Sequence, residues 1–369
     1  MIDRRQFLAT TSALAVSPLL SRIAQRPHAS LRLLVLGGTN FLGPAIVECA
    51  QKQGHDVSLF NRGLTNPRLF PDIEKLRGDR NPQSPDLRAL QGQRSWDAVI
   101  DVWPSDPHMV AATVRLLRDR VGRYVFISST VAYKDLAKTG AVETDALFDD
   151  LTDAAAWYEY DKAQCERALG SLLGDRQAIC RSHIINGYRN PSDALRMWAV
   201  RIARGGEVLA SGDGNDPVQF TDVRDVAAFT VRLAEGTQSG AFNVAGPAAG
   251  RTTFREFLTA LNAALGNRAQ LTWVDERFLN EQNVRAFSDL AMWIPVRTAR
   301  RPGFMQVSTT KAQAAGLTFR PMGDTAAEEL QWCRETTPSD YEFGVGRSNK
   351  GFPRSREREL LVAWRATRR

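Results

Sequence analysis

Tyr158 and Lys162 stand four residues apart in a stretch with helical character, Tyr-Glu-Tyr-Asp-Lys. Positions i and i+4 share one face of a helix, so the lysine ammonium is expected near the tyrosine hydroxyl, where it lowers the pKa of that hydroxyl. A tyrosine with a pKa closer to neutrality can exchange a proton with a hydroxyl or carbonyl group. Ser128 and Ser129 end a predicted strand, where a serine hydroxyl can orient the same oxygen. The tyrosine, the lysine and a serine of this pair are therefore the candidate catalytic groups.

A glycine-rich turn upstream predicts a phosphate-binding site. The apolar run 31–36 stops at Gly37, and a helical pattern begins after Gly43. Glycine permits the tight turn and the close packing of helix on strand, and the free N–H groups of the helix N-terminus attract an anion. The cofactor contacts predicted in this turn are Gly37, Thr39, Asn40, Phe41, Leu42 and Gly43.

The elements that must position these groups alternate between strands and helices. This alternation predicts an α/β fold, a Rossmann-type doubly wound parallel sheet with a smaller C-terminal substrate-binding region. The main predicted strands are 31–36, 55–60, 96–101, 123–129 and 177–181. The predicted divisions are a signal segment at 1–30, a dinucleotide-binding domain at 31–185, a mostly substrate-binding region interleaved with the core at 186–335, and a connector with a basic helix at 336–369.

The net charge of +7 is confined to the two ends of the chain, because residues 31–350 carry equal numbers of acidic and basic side chains. A neutral body argues against a nucleic-acid-binding surface. None of the four cysteines is spaced as Cys-x-x-Cys, so no metal site is predicted. They are interpreted as buried free thiols.

The N-terminal segment Asp3-Arg-Arg-Gln-Phe-Leu8 closely resembles a twin-arginine export signal. This resemblance predicts a periplasmic protein, with a cytoplasmic one as the alternative. The uncharged run that follows, 8–20, is too short to span a membrane comfortably, so no stable membrane anchor is expected.

Five ordered motifs over about residues 31–335 resemble the short-chain dehydrogenase/reductase superfamily, in its extended or atypical branch of nucleotide-sugar epimerases and dehydratases. They are the phosphate turn 37–43, the serine strand 126–133, the helix Tyr158-x-x-x-Lys162-x-x-x-Glu166, the strand 181–187 that borders nicotinamide in the family, and the segment 220–227. Asn40 replaces the middle glycine of the turn. Asparagine tolerates a positive φ better than most residues, so the turn is expected to survive.

The resemblance implies an NAD(P)-dependent epimerase or oxidoreductase acting on a sugar or nucleotide sugar by hydride transfer. It implies that Tyr158 is the acid/base, that Ser129 hydrogen-bonds the reacting oxygen and that Lys162 holds the nicotinamide ribose. His183 is a candidate to line the nicotinamide pocket, with a packed strand histidine as the alternative, and Asp79 is a candidate acceptor for the adenine amino group, with a turn aspartate as the alternative. Candidate substrate contacts are Trp103, Gln219 and Arg224. Family members often pair as homodimers through core helices.

Two departures from the family pattern narrow this expectation. Thr130 and Val131 stand where sugar 4,6-dehydratases carry an Asp-Glu pair, and neither can act as an acid or base at neutral pH, so dehydration is disfavoured. Asn61 stands where an acid usually ends the second strand and binds the NAD ribose, and Arg62 follows it. An arginine there can bind a 2′-phosphate, so NADP is the expected cofactor, with NAD as the alternative.

The sequence alone leaves two other functions open. One is an RNA-associated protein, since atypical members such as the chloroplast stem-loop-binding proteins share the Gly-Gly-Thr-x-Phe-x-Gly style of turn. The other is a cofactor-sensing binding protein without turnover. The Ser129, Tyr158 and Lys162 set and the neutral body argue against RNA binding.

Overall fold

The computed structural model describes residues 29–102, 105–246, 252–338, 341–346, 348 and 350–368. Trp103 and the predicted export motif lie outside the described residues. The strands are β1 (Arg32–Leu36), β2 (Asp56–Asn61), β3 (Glu74–Arg77), β4 (Trp96–Asp101), β5 (Val121–Ser129), β6 (Gln177–Ser182), β7 (Ile185–Asn186), β8 (Gly206–Ser211), β9 (Thr221–Asp222), β10 (Gly240–Val244) and β11 (Ala269–Val274). The helices are α1 (Leu42–Lys52), α2 (Pro107–Leu117), α3 (Trp157–Leu173), α4 (Ala194–Arg204), α5 (Val223–Glu235), α6 (Phe254–Ala264), α7 (Glu276–Glu281), α8 (Thr310–Ala314), α9 (Met322–Thr336) and α10 (Arg354–Ala366).

A central sheet of seven parallel strands carries the cofactor half of the molecule. Its order is β10-β6-β5-β4-β1-β2-β3, and every pairing within it is parallel. Helices α1 and α5 cover one face, while α2 and α3 cover the other. Because both faces are covered, the inner strands are continuous apolar runs, such as Leu33 to Leu36 in β1. The predicted doubly wound α/β sheet is confirmed.

A smaller body lies beside the sheet and has its own core. The parallel pair β8 and β11 packs there with α4, α6 and α9 around the buried side chains of Trp198, Phe254 and Trp293. Helix α6 begins with a capping box in which Thr253 and Glu256 satisfy each other's backbone N–H groups.

The C-terminal helix α10 completes this smaller body. Leu360 and Leu361 enter its core, and Glu357 accepts hydrogen bonds from the backbone N–H of Leu209 in β8 and from Arg201 in α4. Across the part of the chain that the structure describes, no helix is both long and apolar enough to cross a membrane.

Candidate cofactor and catalytic site

A cleft of about 700 Å³ opens at the carboxyl ends of the central strands, where ligands of open α/β sheets bind. It brings together all the described residues that the sequence assigns to catalysis or to the cofactor. These are Gly37, Thr39, Asn40, Phe41, Leu42, Gly43, Asn61, Arg62, Asp79, Ser129, Tyr158, Lys162 and His183.

The turn between β1 and α1 has the geometry of a phosphate cradle. Gly37 and Gly38 have φ values of 114° and 92°, a region that favours glycine. Helix α1 begins after Phe41 without a side-chain cap, so the N–H groups of its first turn face the cleft unshielded. The turn therefore fits the pyrophosphate of a dinucleotide.

The turn keeps its shape at Asn40, but not because asparagine tolerates a positive φ there, as predicted. Asn40 is not among the residues with positive φ, because the two preceding glycines make the sharp part of the turn. Its exposed side chain lines the cleft instead. The turn thus survives without a glycine at that position.

The three candidate catalytic residues come from two adjoining elements. Ser129 is the last residue of β5, and its Oγ accepts a hydrogen bond of 3.4 Å from the N–H of Val131. Tyr158 and Lys162 lie on α3, and the Lys162 Nζ is 5.8 Å from the centroid of the Tyr158 ring. Lys162 also donates a 2.8 Å hydrogen bond to the carbonyl of Ile127 in β5, which ties the helix to the serine strand.

Burial controls the titration of this pair. It lowers the pKa of Lys162 to about 8, because the ammonium is almost completely removed from water. The predicted lowering of the Tyr158 pKa is wrong: that pKa is raised by burial first and by the nearby Glu159 carboxylate second. Desolvation of the phenol is the largest cause of this shift.

A buried ionic network lies beneath the serine strand. Glu166, one turn after Lys162 on α3, accepts a 2.5 Å hydrogen bond from the Ser128 hydroxyl and forms a two-point ion pair with Arg181 of β6. Arg181 also donates to the hydroxyl of Tyr133 at 2.9 Å. The glutamate and arginine of the family motifs therefore hold the helix and strands in register.

His183 lines the cleft and is buried. Burial lowers its pKa to about 3, so the ring is neutral at physiological pH. Its Nδ1 lies 2.7 Å from the Thr130 hydroxyl, and its ring packs against Phe304 with centroids 4.6 Å apart and planes tilted by 57°. Thr130 thus serves as the hydrogen-bond partner of His183.

At the end of β2, the Asn61 side chain is hydrogen-bonded to the phosphate turn and to the loop that follows β2. Its amide donates to the Gly37 carbonyl, and its Oδ1 accepts from the N–H of Gly63 and from Arg77. Arg62 is exposed and lines the cleft. Arg77, which sequence reasoning missed, is brought here by the pairing of β2 with β3. Its position at the end of an edge strand gave no local signal.

The loop 78–82 also lines the cleft, next to the end of β2. Asp79 accepts a hydrogen bond from the N–H of Asn81, which fixes the loop locally. Arg80, also missed from sequence, forms two hydrogen bonds of 2.7 and 2.8 Å to the buried Asp101 of β4. The Tyr124 hydroxyl donates to the same carboxylate. This ion pair anchors the loop to the central sheet.

The structure does not bring the remaining candidates into the cleft. Gln219 exchanges two hydrogen bonds of 2.9 Å with the backbone of Val307, and Arg224 pairs with Asp222 and Glu328. Neither lines the cleft. Within the described residues no group of three His, Cys, Asp or Glu side chains could hold a metal ion, and all four cysteines are free thiols.

The sequence pattern of the NAD dependent epimerase/dehydratase family matches residues 33–245. The chain belongs to this family. The matched region contains the phosphate turn, the serine strand and the Tyr158–Lys162 helix, which are the parts that meet in the cleft. The family is one of NAD(P)-dependent epimerases and oxidoreductases of the short-chain dehydrogenase/reductase type.

Named relatives are distant. The epimerase family protein SDR39U1 of Bos taurus is 26% identical over 254 residues, 65% of this chain and 82% of that protein. The 2′-dehydrokanamycin reductase of Streptomyces kanamyceticus is 26% identical over 169 residues, 46% of each chain.

Solved structures share the fold at low identity. A putative epimerase from Burkholderia cenocepacia J2315 is 23% identical with a TM-score of 0.62, and a UDP-glucose 4-epimerase is 16% identical with a TM-score of 0.61. Each likeness covers 84% of this chain and 99% of the other. The enzyme WbmH of Bordetella bronchiseptica, solved with NAD+, is 19% identical with a TM-score of 0.56, covering 84% of this chain and 100% of that one.

Proposed function

We propose that the protein is an NADP-dependent oxidoreductase or epimerase acting on a hydroxyl or carbonyl group of a sugar or nucleotide sugar. The observation that carries this proposal is the meeting of Ser129, Tyr158 and Lys162 with the phosphate turn in one cleft. A cofactor-sensing protein without turnover would need the turn but not this set of proton-transfer groups.

Each group in the cleft would have a separate role. When bound, NADP would give or accept the hydride. The turn 37–43 would bind its pyrophosphate, and Lys162 would bind the nicotinamide ribose. Ser129 would donate a hydrogen bond to the reacting oxygen, which holds that oxygen beside the Tyr158 hydroxyl.

The Tyr158 phenol would act as the acid when a carbonyl is reduced. Burial raises its pKa, so at neutral pH the phenol holds the proton that it would give to the carbonyl oxygen. Dehydration remains disfavoured, because Val131 has no ionisable group and the Thr130 hydroxyl is hydrogen-bonded to His183.

Two arginines support NADP over NAD. Arg62 lines the cleft at the end of β2, where the ribose of the adenosine half would be bound, and Arg77 at the end of the paired β3 donates to the adjacent Asn61, which brings no negative charge there. Replacing both arginines with glutamine should weaken NADP binding more than tenfold and leave NAD binding within about twofold. Equal losses for both cofactors would contradict the preference.

The function is tested first by mass spectrometry of the native protein for bound NADP or NAD, followed by titration with both. Absorbance at 340 nm then reports net oxidation or reduction of a panel of sugars, sugar ketones and nucleotide sugars, and NMR of the products reports epimerisation, which causes no net change in the cofactor. Tyr158→Phe should abolish substrate-dependent turnover and preserve cofactor binding, whereas Tyr160→Phe, two residues along the same helix and outside the cleft lining, should keep both. Turnover that is unaltered in Tyr158→Phe would overturn the mechanism.

For location, we propose export to the periplasm by the twin-arginine route on the motif Asp3-Arg-Arg-Gln-Phe-Leu8. Replacing Arg4 and Arg5 with lysine should retain the protein in the cytoplasm upon fractionation. An unchanged distribution would remove the export assignment.

A further inference from the structure

A second cleft of about 790 Å³ lies beside the phosphate turn and has no part in the catalytic arrangement above. Asn40 and Pro191 line both clefts, so the two are separated only by this narrow ridge. Asn40 is the residue that replaces a glycine of the family motif, and its exposed amide stands on the ridge.

Three arginines from three separate segments line this second cleft. Arg68 comes from the loop after β2, Arg189 from the loop after β7, and Arg196 from α4. Among the described residues, no carboxylate lines the cleft with them. Guanidinium groups that converge from different segments are suited to a phosphate, whose oxygens accept several hydrogen bonds at once.

Two of the three arginines are partly neutralised by carboxylates outside the cleft. Arg189 pairs with Glu48 at 2.6 Å through one terminal nitrogen and retains donors for another acceptor. Arg196 is the most engaged: it pairs with Asp193 at 3.1 Å and donates a 2.6 Å hydrogen bond to the Asn190 carbonyl. Its buried Nε lies 3.9 Å from Glu329. Arg68 has no described carboxylate within 4.0 Å.

The lining of the second cleft also includes an unusual backbone conformation at Arg189 and the aromatic ring of Trp332. Arg189 has a φ of 66°, an unusual backbone conformation for a residue other than glycine, and such conformations are concentrated at ligand-binding positions. Trp332 from α9 is half-buried and packs edge-on against Tyr188 at 5.0 Å.

We propose that this arginine cleft, defined by Arg68, Arg189 and Arg196, binds a phosphate group. The phosphate has two sources: the pyrophosphate of the cofactor reaching over the Asn40 ridge, or a separate small phosphate-bearing molecule bound beside the cofactor. The first source rests on the proposed function, and the second does not.

Calorimetry with inorganic pyrophosphate at fixed ionic strength tests the proposal. Pyrophosphate should bind the protein, and Arg68→Gln and Arg189→Gln should each weaken that binding at least fivefold. Arg115→Gln, which removes an exposed charge from α2 on another surface, should change it less than twofold. Arg68 has no described ion-pair partner, so its variant also controls for any folding defect of Arg189→Gln.

Repeating the titration on protein saturated with NADP separates the two sources. Continued pyrophosphate binding that depends on Arg68 indicates a separate ligand. Loss of that binding, together with at least a fivefold weakening of NADP binding by Arg68→Gln, indicates the pyrophosphate of the cofactor. The proposal is overturned if pyrophosphate does not bind, or if its binding is indifferent to both arginines. NADP binding that persists in that case leaves the proposed function intact, whereas absence of NADP binding alone overturns the proposed function.

Discussion

Gly43→Ala should damage the phosphate turn and the fold together. A Cβ at Gly43 would lie 2.5 Å from the Cα of Gly38 and 2.8 Å from the N and C atoms of the same residue. These are backbone atoms, so no side-chain rotation relieves the contact. Ordinary carbon contacts are about 3.5–4.0 Å, so α1 must move away from the turn by about 1 Å.

The size of the effect follows from two opposing contributions. Forcing an extra methyl group into a packed interior costs about 1–3 kcal/mol. Alanine in a helix is favoured over glycine by about 1 kcal/mol, which offsets part of that cost. The free energy of unfolding should therefore fall by up to about 2 kcal/mol. NADP affinity should fall at least tenfold, because the displaced α1 no longer directs its first N–H groups at the pyrophosphate.

Gly170→Ala on α3 is the matched control. It is also a helical glycine, but an added Cβ there meets no atom within 4 Å. This variant should be more stable by about 1 kcal/mol and should bind NADP as the original protein does. Urea unfolding and fluorescence titration with NADPH measure both quantities. If Gly43→Ala behaves like Gly170→Ala in both assays, the reasoning about helix and turn packing is refuted.

Three further changes probe the buried polar groups around the site. Glu166→Gln leaves Arg181 buried without its carboxylate and should lower the free energy of unfolding by about 3–5 kcal/mol in urea unfolding. Arg80→Lys keeps the charge but loses the paired hydrogen bonds to Asp101, and should cost about 1–3 kcal/mol in the same assay. The pKa of His183 is about 3 in the folded protein and about 6.5 in the unfolded chain, so the unfolded chain binds the proton more tightly. The free energy of unfolding should therefore fall as the pH drops from about 6.5 to about 3. His183→Phe should flatten that dependence when unfolding is measured across this pH range.

Each of these has an outcome that contradicts it. A Glu166→Gln protein as stable as the original would mean that the Arg181 charge is solvated after all. Unchanged stability of Arg80→Lys would show that the geometry of the pair with Asp101 is unimportant. A pH dependence that persists in full in His183→Phe would assign it to other groups.

Much of the fold could be predicted because its main elements have strong local patterns. Strand β1 is apolar from Leu33 to Leu36, and β4 is predicted over the same residues, 96–101, that the structure assigns to it. Strand β3, Glu-Lys-Leu-Arg, has no apolar alternation and was missed. It is a strand because β2 offers it a free edge, which is a tertiary cause.

The candidate site, too, was predicted where local sequence patterns determine it and missed where tertiary contacts do. Sequence spacing placed Tyr158 and Lys162 on one helix, and the cleft contains both. The direction of the Tyr158 pKa was wrong because spacing does not reveal the burial of the phenol, which is the largest cause of the shift. Arg77 and Arg80 were missed because their partners come from other strands and have no counterpart in a local motif.

The dependence of the smaller body on α10 has a consequence during synthesis. The last strand of the central sheet, β10, ends at Val244, so the cofactor half has all of its strands while much of the chain is still to be made. The core around Trp198 lacks Leu360 and Leu361, and β8 lacks the carboxylate of Glu357, until α10 has been translated. Domains generally fold as units during synthesis, so the strands of the cofactor half can pair while the smaller body still exposes the apolar surface that α10 will cover.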